Sequence, residues 1–461
     1  MMIKFSRRFV PVLACAAGLV AVAAPTASAY DGNPLDGTEG FGVFIHHDAL
    51  LGSTESEGPV AVGGNLSFGA GYNVALNTAG SYTADGDARP TGLLVGGRVD
   101  FPGSDPTGVL KVLGDGYVKI GDPTGAGVLT TDANGAAVAT HVVAAGSGYD
   151  STPRIELSAR QPAAAVTRGS LPDFDARFTA FRTRATAMAA CAENVQLLDG
   201  NGNPYPDQND LPPGAQVKIH LTADRTNVLR LTGTQLNRIG QLTFLDQPTT
   251  AAPLVIVVDT NATGHALAWN SPTFAGLDPA GISALLWDFP DATSITHASG
   301  DTINGTLYAP SARLTDLDAS NIQGDIVVES LVHGSRTNTG PSGGEMHYFP
   351  FTAHVSCDGE SSTPSPSPSP TPSATPSPNN GPGPSTSPSR STPSSPSTTA
   401  NPSTPATPGA SPRQPAGPSP APGEQLAQTG ADTGTRWIAA AGLLTTAAGA
   451  LALRASRRRR H

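Results

Sequence analysis

The sequence predicts an all-β fold for its largest part, a right-handed β-solenoid-like domain accompanied by one amphipathic helix. Three observations carry the prediction. Short apolar runs recur between Gly, Asp and Asn turns, related segments return at near-regular intervals, and a single stretch shows helical periodicity.

The runs come first. Val60-Ala61-Val62, Leu93-Leu94-Val95, Val109-Leu110, Tyr117-Val118, Val128-Leu129, Val138 to Val143, Val217 to His220, Val228 to Leu231, Gln241 to Leu245 and Leu254 to Asp259 have strand length, with turns close behind. Two of them share a pattern: Gly58-Pro59-Val60-Ala61-Val62-Gly63-Gly64-Asn65 and Gly92-Leu93-Leu94-Val95-Gly96-Gly97-Arg98. A second pair, Ile303 to Ala309 and Ile322 to Val328, lies 19 residues apart. Repeats of about 20 residues suit coils that each bury a face on the next. An array of sandwiches is the alternative arrangement.

The helix is read from Asp173 through Ala192. Phe174, Phe178, Phe181, Ala185 and Met188 fall at spacings of three and four, with Pro172 at the entrance and Asn194 beyond the end. Such a helix would cover an exposed face or edge of the solenoid. It would place Cys191 on its last turn, and a bond to Cys357 would staple it to the final strand near Tyr348-Phe349-Pro350-Phe351.

The two ends of the chain speak about export. Lys4, Arg7 and Arg8 precede an apolar run from Phe9 to Ala24, and Ala27-Ser28-Ala29 offers a cleavage site, so residues 1–29 read as a secretory signal peptide and the mature chain starts at Tyr30. Cys15 offers a lipoprotein alternative, but cleavage there would leave half of an apolar core. The β domain spans 30–359. From Ser361 to Gly423 there is no Val, Ile, Leu, Met or aromatic residue. Residues 360–425 therefore cannot bury a core and read as a disordered Pro/Ser/Thr stalk, biased to polyproline II. At about 3.1 Å per residue, 63 such residues reach at most ~195 Å.

Beyond the stalk lie Leu426-Ala427-Gln428-Thr429-Gly430, an apolar stretch from Trp437 to Leu453, and a basic tail over 454–461. Seventeen helical residues rise ~26 Å, enough to span a thin hydrocarbon core, and the tail would stay cytoplasmic. This order resembles a sortase cell-wall sorting signal. The resemblance implies recognition of Leu426, Ala427, Thr429 and Gly430, cleavage between Thr429 and Gly430, and transfer of the threonyl group to peptidoglycan. Ala427 stands where the common motif has Pro, as in the variant of high-GC Gram-positive bacteria. A permanent membrane anchor is the alternative.

Charge narrows the partners. Three of the 27 basic residues lie in the signal and six follow Thr429, whereas only Asp432 of the 37 acidic residues does, leaving the displayed product near −18. That field repels nucleic acid and anionic lipid. Cys191 and Cys357 are the cysteines of the mature chain, with no CxxC, and an oxidising exterior favours one disulfide over a metal site.

Three segments resemble the choice-of-anchor A family: Glu57 to Asn65 for E-G-x-V-A-V-G-G-N, Asn304 to Pro310 for N-G-x-L-x-A-P, and His347 to Phe351 for H-x-x-P-F. They occur in order and cover most of residues 40–355. The resemblance implies a surface protein, held by one of several anchors, and a role as adhesin. His46-His47 departs from the less polar strand end expected there and is expected to perturb the first strand.

Catalytic and metal motifs read poorly. Gly340-Pro341-Ser342-Gly343-Gly344 fits G-x-S-x-G literally but lacks the strand and helix that a nucleophile elbow requires. His46-His47-Asp48 is the tightest histidine group, read as structural or surface. Asp199-Gly200-Asn201-Gly202-Asn203 begins like a calcium loop, but Pro204 replaces the Gly and Asp210 stands where a bidentate Glu belongs, so a polar turn is favoured. An isopeptide cross-link would have to use Lys111, Lys119 or Lys218. An ice-binding solenoid is disfavoured because regular T-x-T rows are absent.

The expected function is a non-catalytic surface adhesin or binding module without cofactor or bound metal. Its expected partners are sortase, peptidoglycan and an extracellular protein or glycan. A structural wall protein, or a polysaccharide-degrading solenoid enzyme, stands behind that reading.

Overall fold

In the computed structural model, residues 30–167 and 169–357 are described. The signal, stalk, sortase motif and apolar stretch at 437–453 lie outside them. No helix among the described residues is long and apolar enough to cross a membrane.

The domain is a β-solenoid of stacked, parallel coils with three sheet faces. On the first face nine strands follow one another: Tyr117–Ile120, Thr91–Val95, Val60–Val62, Val43–Ile45, Ile326–His333, Thr306–Asp316, Leu285–Asp288, Leu254–Asp259 and Asn227–Thr232. This order is not sequential. The chain starts in the middle of the stack, winds outward to Tyr117–Ile120, and crosses to the opposite end. It then winds inward until Ile326–Val328 pairs with Val43–Ile45. The repeats seen in the sequence are neighbouring coils. Val60 pairs with Leu93 and Val62 with Val95, while Ile303 pairs with Ile322 and Ala309 with Val328, in the register of 19.

Gly63, Gly96 and Gly121 stack at the corner that ends three first-face strands. A Cβ on Gly63 would meet the His46 carbonyl at 2.1 Å, one on Gly96 the Gly63 carbonyl at 2.4 Å, and one on Gly121 the Gly96 carbonyl at 2.1 Å. The shared Gly-Gly of the two repeats is thus a packing requirement. In the first coil His46-His47 occupies this corner, yet Val43–Ile45 is paired on both sides, so the expected perturbation does not occur. The His46 ring stacks on Phe178 at 4.5 Å and is covered by the helix.

The long helix runs over Phe174–Ala189, shorter than the predicted Asp173–Ala192. Asp173 caps it by accepting from the Ala176 N–H, and Ala190 ends it, so Cys191 lies past the last turn. The helix explains why the first-face strands are apolar without alternation. Their inward side chains fill the solenoid, while the outward ones, such as Phe44, Ala61, Val327, Tyr308 and Val257, pack under Phe178, Phe181, Ala185 and Met188. Sixteen residues rise ~24 Å, the distance covered by the five ~4.8 Å steps from Phe44 to Arg230 in the outward row of this sheet. At the end of that span the Arg230 guanidinium donates to the carbonyls of Ala189 and Cys191, satisfying groups the helix leaves free.

Cys191 and Cys357 are joined, with Cα atoms 5.3 Å apart. The final strand is Val355–Ser356, paired antiparallel with Asp31–Gly32, so the bridge ties the end of the helix to both ends of the domain.

Candidate functional site

The long helix covers the first face from Val43–Ile45 to Asn227–Thr232, whereas among the described residues it does not extend over the second and third faces. The second face is formed by Ala266–Ser271, Ser294–Gly300, the C-terminal parts of Thr306–Asp316 and Ile326–His333, then Ala49–Leu51 and Leu66–Phe68. Side chains alternate in and out, so adjacent coils build continuous rows across the sheet. One outward row reads Ala268, Thr296, Thr315, Val332, Leu50, Ser67, each in register with the next. Five of the six are half-buried, Ala268 is exposed, and none is ionisable. A flat strip of methyls and hydroxyls results. No T-x-T recurs along these strands; the coils instead carry Ser294-Ile295-Thr296, Arg313-Leu314-Thr315 and Ser330-Leu331-Val332.

The inward row beside it holds a buried polar chain. Trp269, His297, Asp316, His333, Leu51 and Phe68 stand in register. The Ser271 hydroxyl lies 3.0 Å from His297 Nε2, and His297 Nδ1 lies 2.9 Å from Asp316 Oδ1. His333 Nε2 is 3.4 Å from Asp316 Oδ2, and burial holds its imidazole below the usual histidine range. The Ser–His–Asp connectivity matches a hydrolytic triad, but Ser271 is 3% exposed and His297 and Asp316 are 0%. At that burial Ser271 is closed to substrate, and its hydroxyl also donates to the Asp301 carbonyl, while Asp316 Oδ2 and His333 Nε2 are left without a hydrogen-bond partner among the described residues.

The third face is polar outward: Glu345, Glu55, Asn73, Lys111 and Glu156 form one row. The segment Tyr348 to Phe351 leaves it and is held by Asp325, whose carboxylate accepts from the Phe351 N–H at 2.8 Å. Burial pushes the Asp325 carboxyl up to about 7 from 3.8, against that hydrogen bond. A carboxyl with a raised folded pKa favours the protonated folded state. Its stabilisation is therefore complete below pH ~4 and lost as pH rises to ~7, up to about 4 kcal/mol. Asp325→Asn keeps an acceptor for Phe351 and removes the charge. Urea unfolding should show it more stable than the parent at pH 8 and equal to it near pH 4; an equal difference at both values would refute the assignment.

The residues singled out from sequence fall as follows. Ser342 lies in a loop, its hydroxyl donating to the Gly343 carbonyl, with no strand or helix at the motif. Asp199 accepts from the N–H groups of Asn201 and Asn203, and Lys218 Nζ donates to the Gly200 carbonyl at 2.7 Å, the geometry of a polar turn. Asp210 is not part of that turn; it pairs with Arg238 at 3.4 Å. His46, His47 and Glu329 do converge, within reach of one small cation. Arg182, however, donates to His46 Nδ1 at 3.2 Å and stands 3.6 Å from Glu329, while His46 Nε2 meets Asp175 at 2.8 Å. A guanidinium among the donors opposes a metal cation. Lys119, one of the three lysines considered for a cross-link, is buried in an ion pair with Asp87 at 2.7 Å and donates to the Ala165 carbonyl. Sequence reasoning missed both this pair and the His297–Asp316–His333 chain.

Comparison with known proteins adds the family. A family model described as "Putative Ice-binding-like adhesive domain" matches residues 34–348. No curated protein matches. Among solved structures, an ice-binding protein with antifreeze activity from an Arctic yeast is 12% identical, with 71% of this chain and 97% of that one covered at a TM-score of 0.25. An ice-binding protein from an Antarctic bacterium of the Flavobacteriaceae is 12% identical, with 67% and 75% covered at a TM-score of 0.22. The family match takes in the second and third faces and the coils that build them, and the chain belongs to this family of ice-binding-like adhesive domains.

Proposed function

We propose that the protein is a cell-wall-anchored adhesin of the choice-of-anchor A type, which displays its solenoid on the stalk and binds without turnover. The supporting observation is membership of an adhesive-domain family over residues 34–348, the region that contains the second and third sheet faces. The Leu426-to-Gly430 motif, apolar stretch and basic tail supply the route to the wall, and the acidic displayed chain disfavours nucleic acid as a ligand. The Ser271–His297–Asp316 chain is sealed, which supports binding over hydrolysis.

The test compares producing cells with an isogenic strain lacking residues 30–359, on immobilised matrix proteins and glycans. Deletion should abolish retention on at least one surface, and the released protein should free no product from polysaccharides or esters. Equal retention of the two strains, or protein-dependent product release, would reject the reading.

A further inference from the structure

We propose that the second face is the docking surface for an extended, uncharged, β-linked polysaccharide, with one sugar seated per coil. The inference rests on the adhesin reading and names its ligand class. The row Ala268, Thr296, Thr315, Val332, Leu50, Ser67 advances by the spacing between adjacent coils, so its five steps cover ~24 Å. That spacing is close to the advance per sugar of an extended β-linked pyranose chain, so one sugar falls on each coil, with successive sugars turned over relative to one another. Thr296, Thr315 and Ser67 offer hydroxyls that both donate and accept, as sugar hydroxyls require. Ala268, Val332 and Leu50 offer methyl groups to the C–H faces of the rings.

Charge selects against the other polymers. The row holds no ionisable side chain although the displayed chain carries a net charge near −18, and the row beside it, Ser294–Arg313–Ser330, adds a single cation. An anionic polymer would be repelled by the domain as a whole, and a cationic one would find no partner on the strip. The surface also continues beyond Ser67. Leu66 pairs with Val99, and there a groove of about 600 Å³ opens, lined by Phe101, Pro102, Ala144 and Ala145 and also by Arg98 and Asp100, one charge of each sign. This groove is positioned to take the chain past the last rung of the row.

The experiment uses the full protein released from producing cells, co-sedimented with insoluble cellulose or chitin, with an anionic polysaccharide and with ice. The parent should sediment with the neutral polymer and remain bound at high salt, since no ion pair is involved. Thr315→Lys and Val332→Lys, outward and partly exposed, should each weaken binding at least about tenfold. Thr296→Ala with Thr315→Ala, which adds no bulk or charge, should weaken it several-fold. Asn73→Lys on the third face should change nothing. Undiminished binding by the second-face variants would overturn the surface. Partition onto ice or the anionic polymer in place of the neutral one would overturn the ligand class. If the parent ignores the neutral polymer while producing cells still adhere through the domain, this inference fails and the adhesin reading stands; if those cells do not adhere either, both fall.

Discussion

Thr429→Ala should move the protein from the wall to the membrane. In a sortase reaction the threonyl carbonyl becomes the thioester, and the side chain on that residue sits in the enzyme's acyl pocket. Removing its hydroxyl and methyl leaves a peptide that can be presented but not transferred. The unprocessed chain would keep its apolar stretch at 437–453 and its four consecutive arginines, Arg457 to Arg460. Detergent alone should therefore extract the variant. The parent should resist hot detergent and be freed only by muramidase cutting the glycan. Release of the parent by detergent would replace wall anchoring with a membrane tether. The 63 residues from Ser361 to Gly423 carry no large apolar side chain that could bury the motif, so the effect should be nearly all-or-none.

Loss of the Cys191–Cys357 bond should destabilise the domain by up to about 5 kcal/mol, the chain-entropy value for closing a loop with a sequence separation of 166. The bridge joins elements that are otherwise held locally. The helix ends at Ala189, and Arg230 holds its last carbonyls. Cys357 follows a two-residue strand whose partner, Asp31–Gly32, is the start of the domain. Cutting the bond frees the terminal pair to fray, and then the C-terminal end of the helix, exposing Met188 and the first-face residues beneath it. Cys191→Ser with Cys357→Ser should lower the urea midpoint and speed amide exchange at Val355 and Met188 before the central coils. Non-reducing peptide mapping of the secreted parent should show the one linked pair. An unchanged midpoint, or two alkylatable thiols in the parent, would count against this role.

Much of this architecture could be read from residues alone. The apolar runs are strands, the two repeat pairs are stacked coils, and the 19-residue spacing is the register of Ile303 with Ile322. The periodic phenylalanines form the covering helix, with its far end misjudged by a few residues because Ala190 and Cys191 continue the composition without continuing the hydrogen bonds. Those features are local, or repeat at short range, and leave a pattern along the chain. Tertiary structure alone decided that the stack begins at its middle, with Val43–Ile45 between coils centred near residues 61 and 327. It also decided that His297, Asp316 and His333 share one sealed row while Thr296, Thr315, Val332, Leu50 and Ser67 share the outward one beside it. In this stacked sheet, neighbours across a row lie one coil or nearly the whole domain apart. Which face a helix will cover is settled only once the helix has packed. Partners brought together in that way leave no spacing in the sequence.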